Sequence, residues 1–282
     1  MTSESGEEGY ALLAAIATIA VFATIALTVL GGMQTGVMQA NAEIERAHAD
    51  AAAEAGVQLA LQGLLTENRA FRWSIDGRTL QLNFGDARLA IRVEDQRGKV
   101  PLASLDEDQA KLLFEKLGLS GERLAIVTDS FLDWIDDDDD PRPDGAELDY
   151  YAAKSIHPRN SAPLSIDELA LVRGFDPALV EKLKQVATLH FGGGSFEPRH
   201  ADPLAIAVMT EGGEDSPEAI DRQRELDGQR TAIELDGDID LTGRPLGIVV
   251  DAYTPGGGHA RRREIVELTG VSARPYVVRE YE

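Results

Sequence analysis

Residues 10–30 read YALLAAIATIAVFATIALTVL, twenty-one residues without a charged side chain. About 20 apolar residues cover the hydrocarbon core as a helix, so the run is just long enough to span a bilayer. A helix also satisfies every backbone amide inside the segment, which lipid cannot do. A buried core helix seldom stays free of charge for this length. A cleaved secretory signal calls for a basic leader, whereas MTSESGEEG is acidic. The run therefore reads as a membrane anchor, with Glu43 the next charge after it. The flanks show no Lys/Arg asymmetry that would fix orientation.

Roughly 250 residues follow, enough for one large or two small domains with real cores. No other stretch approaches membrane length. The formal charge of −22 repels phosphate backbones and anionic headgroups, so no nucleic acid partner is expected. The absence of cysteine excludes a disulfide framework, a thiolate metal site and a thiol nucleophile.

Beyond the anchor the helix is predicted to continue to about Leu65. Val37, Ile44, Ala47, Ala51, Ala55, Leu59 and Leu61 recur at helical spacing, with Glu43, Glu45, Arg46, Asp50 and Glu54 between them. Gly56 and Gly63 weaken its far end by roughly 1 kcal/mol each relative to Ala. RTLQLNF, the turn Gly85-Asp86 and ARLAIRVED then alternate as a hairpin. From Ser104 to about Ala187 the pattern becomes a compact unit of short helices. Ser104 with Glu107 forms a capping box there, and Gly118 ends that helix. A helix over 121–136 turns Leu124, Val127, Phe131 and Trp134 inward. Ser165 with Glu168 caps another that ends at Gly174, and Asp176-Pro177 opens one more. Residues 202–210 read as a short helix and 211–230 as a mobile polar loop. Strands return at PLGIVVDAY, REIVELTG and PYVVREY. Sheet segments thus flank the helical unit, an insertion into an α+β domain.

The densest chemistry is FLDWIDDDDDPRPDGAELDYY, residues 131–151. Between Asp129 and Asp149 ten carboxylates face one base, Arg142. Unit charges about 6 Å apart repel by roughly 0.7 kcal/mol even in water. Trp134, Ile135, Tyr150 and Tyr151 bracket the run as core-type residues, so folding would hold the carboxylates together. Asp136, Asp138, Asp140 and Glu147 follow an EF-hand-like spacing, but Pro141 stands where that loop requires Gly. The spacing leaves open a structural Ca²⁺ site, a solvated acidic turn and a catalytic carboxylate pair.

Other chemistry is sparse. The five histidines have no metal-ligand spacing, and neither a G-x-S-x-G nor a phosphate loop occurs. Gly192–Gly194 reads as a linker. The segment ELALVRGFDPALVEKL could be a DNA-binding helical hairpin, but Asp176 stands where the second turn glycine would be; it reads as a packing unit.

DQRGKVPLASL, DWIDDDDDPRPDGAELDYY and RNSAPLSIDELALVRGF follow one another over residues 95–175, and RPYVVREYE closes the chain. In this order and spacing the chain resembles the type II secretion system protein K family of minor pseudopilins. The resemblance implies a pilin-like fold: a long N-terminal transmembrane helix packed on an antiparallel sheet, plus an inserted helical domain. The segments would be a leader (1–9), helix (10–66), β segment (67–103), α-domain (104–190) and C-terminal β segment (191–282). It implies cleavage by a prepilin peptidase between Gly9 and Tyr10 and methylation of the new N-terminus. Ala14 stands at mature position 5, where most pilins carry Glu, as suits a tip subunit with no neighbour ahead of it. It implies Ca²⁺ held by Asp133, Asp136, Asp138 and Glu147, with Asp140 a further candidate. It also implies partnership with the I- and J-type minor pseudopilins and the major pseudopilin. The expected role is non-enzymatic: capping and starting the secretion pseudopilus from the bacterial inner membrane, with the body in the periplasm. The alternatives are a minor pilin of a DNA-uptake or type IV pilus machine, and a tethered Ca²⁺-dependent hydrolase.

Overall fold

The structure, a computed structural model, describes residues 4–68, 71–210 and 240–281, with residues 4–12 and 27–36 described as helix backbone only. Helix α1 runs unbroken over Glu4–Leu64. Gly9, Tyr10 and both ends of the apolar run lie outside the residues whose side chains are described, as does the whole of the 211–230 loop. Residues 13–26 are exposed helix, and Thr18 and Thr24 return their hydroxyls to the carbonyls of Ala14 and Ala20 at 2.8 Å. Among the described residues, no helix is long and apolar enough to cross a membrane.

Strands β1 (Asp76–Phe84) and β2 (Ala87–Asp95) form the expected hairpin. A two-residue pairing, β3 (Val100–Pro101) with β4 (Ala187–Thr188), ties together the two ends of the helical unit. Strands β5 (Pro245–Tyr253), β6 (His259–Val271) and β7 (Arg274–Tyr281) complete an antiparallel sheet of order β1-β2-β5-β6-β7. Since β2 pairs directly with β5, the described residues between them form an excursion from one sheet.

The C-terminal part of α1 lies on that sheet through a stripe that matches the expected one only at its far end, where Leu61 is buried and Leu59 half-buried. Ala49, Ala53, Val57, Ala60 and Leu61 are buried against Leu89, Ile91, Val250 and Val266. Val37 and Ile44 are 61% exposed, and Ala47 and Ala51 also face outward. An alanine-rich helix offers several similar faces, and the closest backbone approach selects among them. Gly56 and Gly63 make that approach: a Cβ on Gly56 would stand 2.6 Å from Val250 Cγ1, and one on Gly63 2.4 Å from the Trp73 ring. At its other end the helix is gripped by the β5–β6 turn. There Thr254 donates to Glu45 at 2.5 Å, and Cβ atoms on Gly256 and Gly258 would meet Glu45 within 2.2 Å.

The excursion has its own core. Helices α2 (Glu107–Lys116), α3 (Gly121–Ile135), α4 (Leu148–Ala152), α5 (Pro177–Val186) and α6 (Pro203–Thr210) enclose Phe114, Phe131, Trp134, Tyr151, Leu169 and Leu183. One cap differs from expectation. Ser104 ends a 3₁₀ turn, while Asp106 and Gln109 form the capping box of α2, with Gln109 N donating to Asp106 at 2.8 Å. The Ser165 cap is present, but it opens a 3₁₀ helix over Ile166–Leu171.

Candidate metal centre

The acidic run begins where α3 ends. Val127, Phe131 and Trp134 face the core at helical spacing, which turns Asp133 inward as well, and its side chain is completely buried. Protein donors saturate it. The backbone N–H of Ala146 donates at 2.8 Å, that of Arg142 at 3.3 Å to each oxygen, and Arg142 Nη1 at 2.8 Å. The same Nη1 donates to Asp136 at 2.5 Å, so one guanidinium bridges two carboxylates. Gly145 permits this packing, because a Cβ there would stand 1.9 Å from Asp133 Oδ2.

Chain reversal at Gly145 brings Glu147 back against the end of α3. Glu147 is only 4% exposed, and neither of its oxygens has a hydrogen-bond partner among the described residues; Asp136 Oδ1 is likewise unpartnered. Asp136, Asp138 and Glu147 each offer an oxygen, and these lie within 4.8 Å of one another. Oxygens bound to one Ca²⁺ at about 2.3–2.6 Å are separated by no more than about 5 Å, so the trio fits a hard divalent cation. Desolvation, then the charges of Asp133, Asp136, Asp139 and Asp138, push Glu147 up to about 7. Two buried, unpartnered carboxylate oxygens are costly unless a proton or a cation meets them.

Of the five sequence candidates, Asp136, Asp138 and Glu147 converge. Asp133 is committed to Arg142 and Ala146, and Asp140 is exposed, its N–H donating to Asp138 at 2.9 Å. Other side chains that shape the loop carry little signal in the sequence. Asn160, at a positive φ of 49°, donates to the Asp138 carbonyl at 2.7 Å and to Asp139 at 3.0 Å. Glu168 accepts from Trp134 Nε1 at 3.2 Å and from Arg159 at 3.0 Å. Tyr151 is core, edge-on to Trp134, but Tyr150 is 39% exposed and lies beneath Lys154 and Arg173.

The hairpin at Gly174 shows what occupies the start of α5. Asp176 accepts from Leu179 N at 2.8 Å and Arg123 at 2.6 Å, which hold its carboxyl below the usual range. A carboxylate already caps this helix end, as the packing reading expects.

Residues 89–191 match the family model for type II secretion system (T2SS), protein K. Three curated relatives carry the name type II secretion system protein K. That of Dickeya chrysanthemi is 32% identical over 120 residues, 40% of this chain and 33% of the relative. That of Pectobacterium carotovorum subsp. carotovorum is 26% identical over 202 residues, 64% and 62% of the two chains. That of Klebsiella pneumoniae is 28% identical over 164 residues, 50% and 49%. The chain thus spans between one third and just under two thirds of these relatives' length. The fold is similar to a chain in the crystal structure of the GspK-GspI-GspJ complex from the enterotoxigenic Escherichia coli type 2 secretion system. That match has a TM-score of 0.60 at 17% identity and covers 86% of this chain and 98% of that one. Family model, curated relatives and fold agree: residues 89–191 form a type II secretion system protein K domain, and the chain is similar to the proteins of that name.

Proposed function

We propose that this chain is a non-enzymatic minor pseudopilin that caps the tip of a type II secretion pseudopilus and helps to start its assembly. One observation carries the reading: most of the matched protein K region is an excursion from a sheet that holds one long helix, in a fold similar to a chain of the GspK-GspI-GspJ complex. By analogy with that complex, the partners are I- and J-type minor pseudopilins, with the major pseudopilin beneath them. Residues 10–30 anchor the precursor in the inner membrane with the body in the periplasm. Prepilin peptidase cuts between Gly9 and Tyr10, and Ala14 leaves the first turns without the usual pilin carboxylate. The apolar run between an acidic leader and an amphipathic stretch supports this reading. Asp136, Asp138 and Glu147 hold Ca²⁺, which supplies the positive charge that the unpartnered oxygens lack and stiffens the loop.

Co-expression with I- and J-type pseudopilins, followed by affinity purification of this chain, tests the assembly role. Stoichiometric recovery of both is expected. Recovery of neither, with this chain folded and processed, would return it to the DNA-uptake or type IV pilus alternative.

A further inference from the structure

Helix α1 covers one face of the sheet, where Glu54 pairs with Arg262 and Gly56 presses on Val250. The other face meets α5 only in part, and two adjoining cavities run along the seam. The larger, about 710 Å³, is floored by Arg92, Val249 and Arg263, which the strand register places side by side across β2, β5 and β6. Arg261 stands exposed one step along β6, and α5 contributes Glu181 and Lys184 from the opposite wall. The smaller, about 340 Å³, shares Glu94, Lys99 and Gln185 with the first and extends it toward Gly77 and His200. The two cavities therefore form one elongated seam.

Its charge runs against that of the molecule. The larger cavity has five cationic side chains and two carboxylates in its lining, whereas the whole chain has 27 Lys and Arg against 49 Asp and Glu. Glu94 holds Arg92 at 2.6 Å and Lys99 at 2.8 Å, and Lys184 is held by Asp167 at 2.7 Å. These pairs fix the long stems without using all their donors, since a guanidinium carries five N–H groups and an ammonium three. An elongated groove with a cationic floor fits an extended chain better than a compact ion. The interleaved Glu94 and Glu181 repel a dense polyanion, and so does the total charge of −22. A ligand with separated carboxylates avoids both and meets the arginine forks in their preferred geometry.

We infer that this seam is a docking groove for an extended segment of another protein that carries spaced carboxylates, a contact beyond those proposed for assembly. The test uses the full chain in detergent micelles at about 50 mM salt, where exposed charges are lightly screened. The probe is a fluorescent peptide of about twelve residues repeating Glu-Ser-Gly, read by anisotropy. Binding that weakens with salt is expected, as is a loss of about tenfold or more in the double variant R261E/R263E. A melting temperature within a few degrees of wild type shows that this variant is folded; should it not fold, Arg261→Gln replaces it, with about a threefold loss expected. Failure of the wild type to bind, equal binding by a Lys-Ser-Gly peptide, or an unchanged variant overturns the inference. Tighter binding of an oligothymidine of similar length overturns it too, in favour of a nucleic-acid site.

Discussion

Replacing Glu147 by Gln keeps the shape of a buried side chain and removes its charge. In the wild type, desolvation and four neighbouring carboxylates raise this group from 4.5 to about 7. A group raised in the fold contributes stability below its unfolded value, near pH 4.5, and loses that contribution as pH rises through about 7. With chelator at pH 8 the full cost of the ionised group is present, about 2–3 kcal/mol at 1.36 kcal/mol per unit with allowance for solvent screening. Glu147→Gln is then expected to be the more stable protein by that amount, a rise in Tm of roughly 4–10 °C for a body of this size. Ca²⁺ closes this gap at about a hundred times Kd and reverses the order only near a thousand times Kd, where the wild type gains about 4.1 kcal/mol. At a hundred times Kd the gain is about 2.7 kcal/mol, while the variant lacks a central ligand. Thermal scans at pH 5 and 8, each with Ca²⁺ and with chelator, measure both effects. A variant less stable than wild type in chelator at pH 8, together with a wild type indifferent to Ca²⁺, refutes both the buried-charge reasoning and the metal reading.

Gly145→Ala drives a methyl group to within 1.9 Å of Asp133 Oδ2 and breaks the Asp133–Arg142 packing. A loss of about 2–4 kcal/mol is expected in urea denaturation, with weaker Ca²⁺ binding by calorimetry. Asp106→Ala removes the carboxylate that caps α2, and about 1 kcal/mol should be lost with no change in Ca²⁺ affinity.

The parts of this fold that a sequence reader can see are those set by strong local contrast. Helix α3 is legible because Val127, Phe131 and Trp134 recur at helical spacing with Thr128, Asp129, Ser130 and Asp133 set between them. The hairpin of β1 and β2 is legible because ARLAIRVED alternates cleanly, and its burial alternates with it. Helix α1 shows the opposite case. Its register on the sheet depends on Gly56 against Val250, a contact between residues far apart in the chain, and on the local closure of Gly63 against Trp73. At the acidic loop, the crowding of carboxylates is plain from DWIDDDDD. What separates them is not: Arg142 takes Asp133, Asn160 reaches in from a distant turn, and the chain reversal at Gly145 leaves Glu147 buried. Similar residues thus receive different fates from contacts that only the closed fold supplies.

The two grips on α1, Glu45 in the β5–β6 turn and Gly63 against Trp73, stand eighteen residues apart, about 27 Å along a helix axis. Between them the helix lies flat on β2, β5 and β6. A pull applied to the rod ahead of Glu45 therefore loads the body in shear, along the length of the contact. Peeling would break contacts one by one from the free end, whereas shear must slide the whole stripe at once. Glu45, Gly256 and Gly258 stand at the point where peeling would start, and they close it.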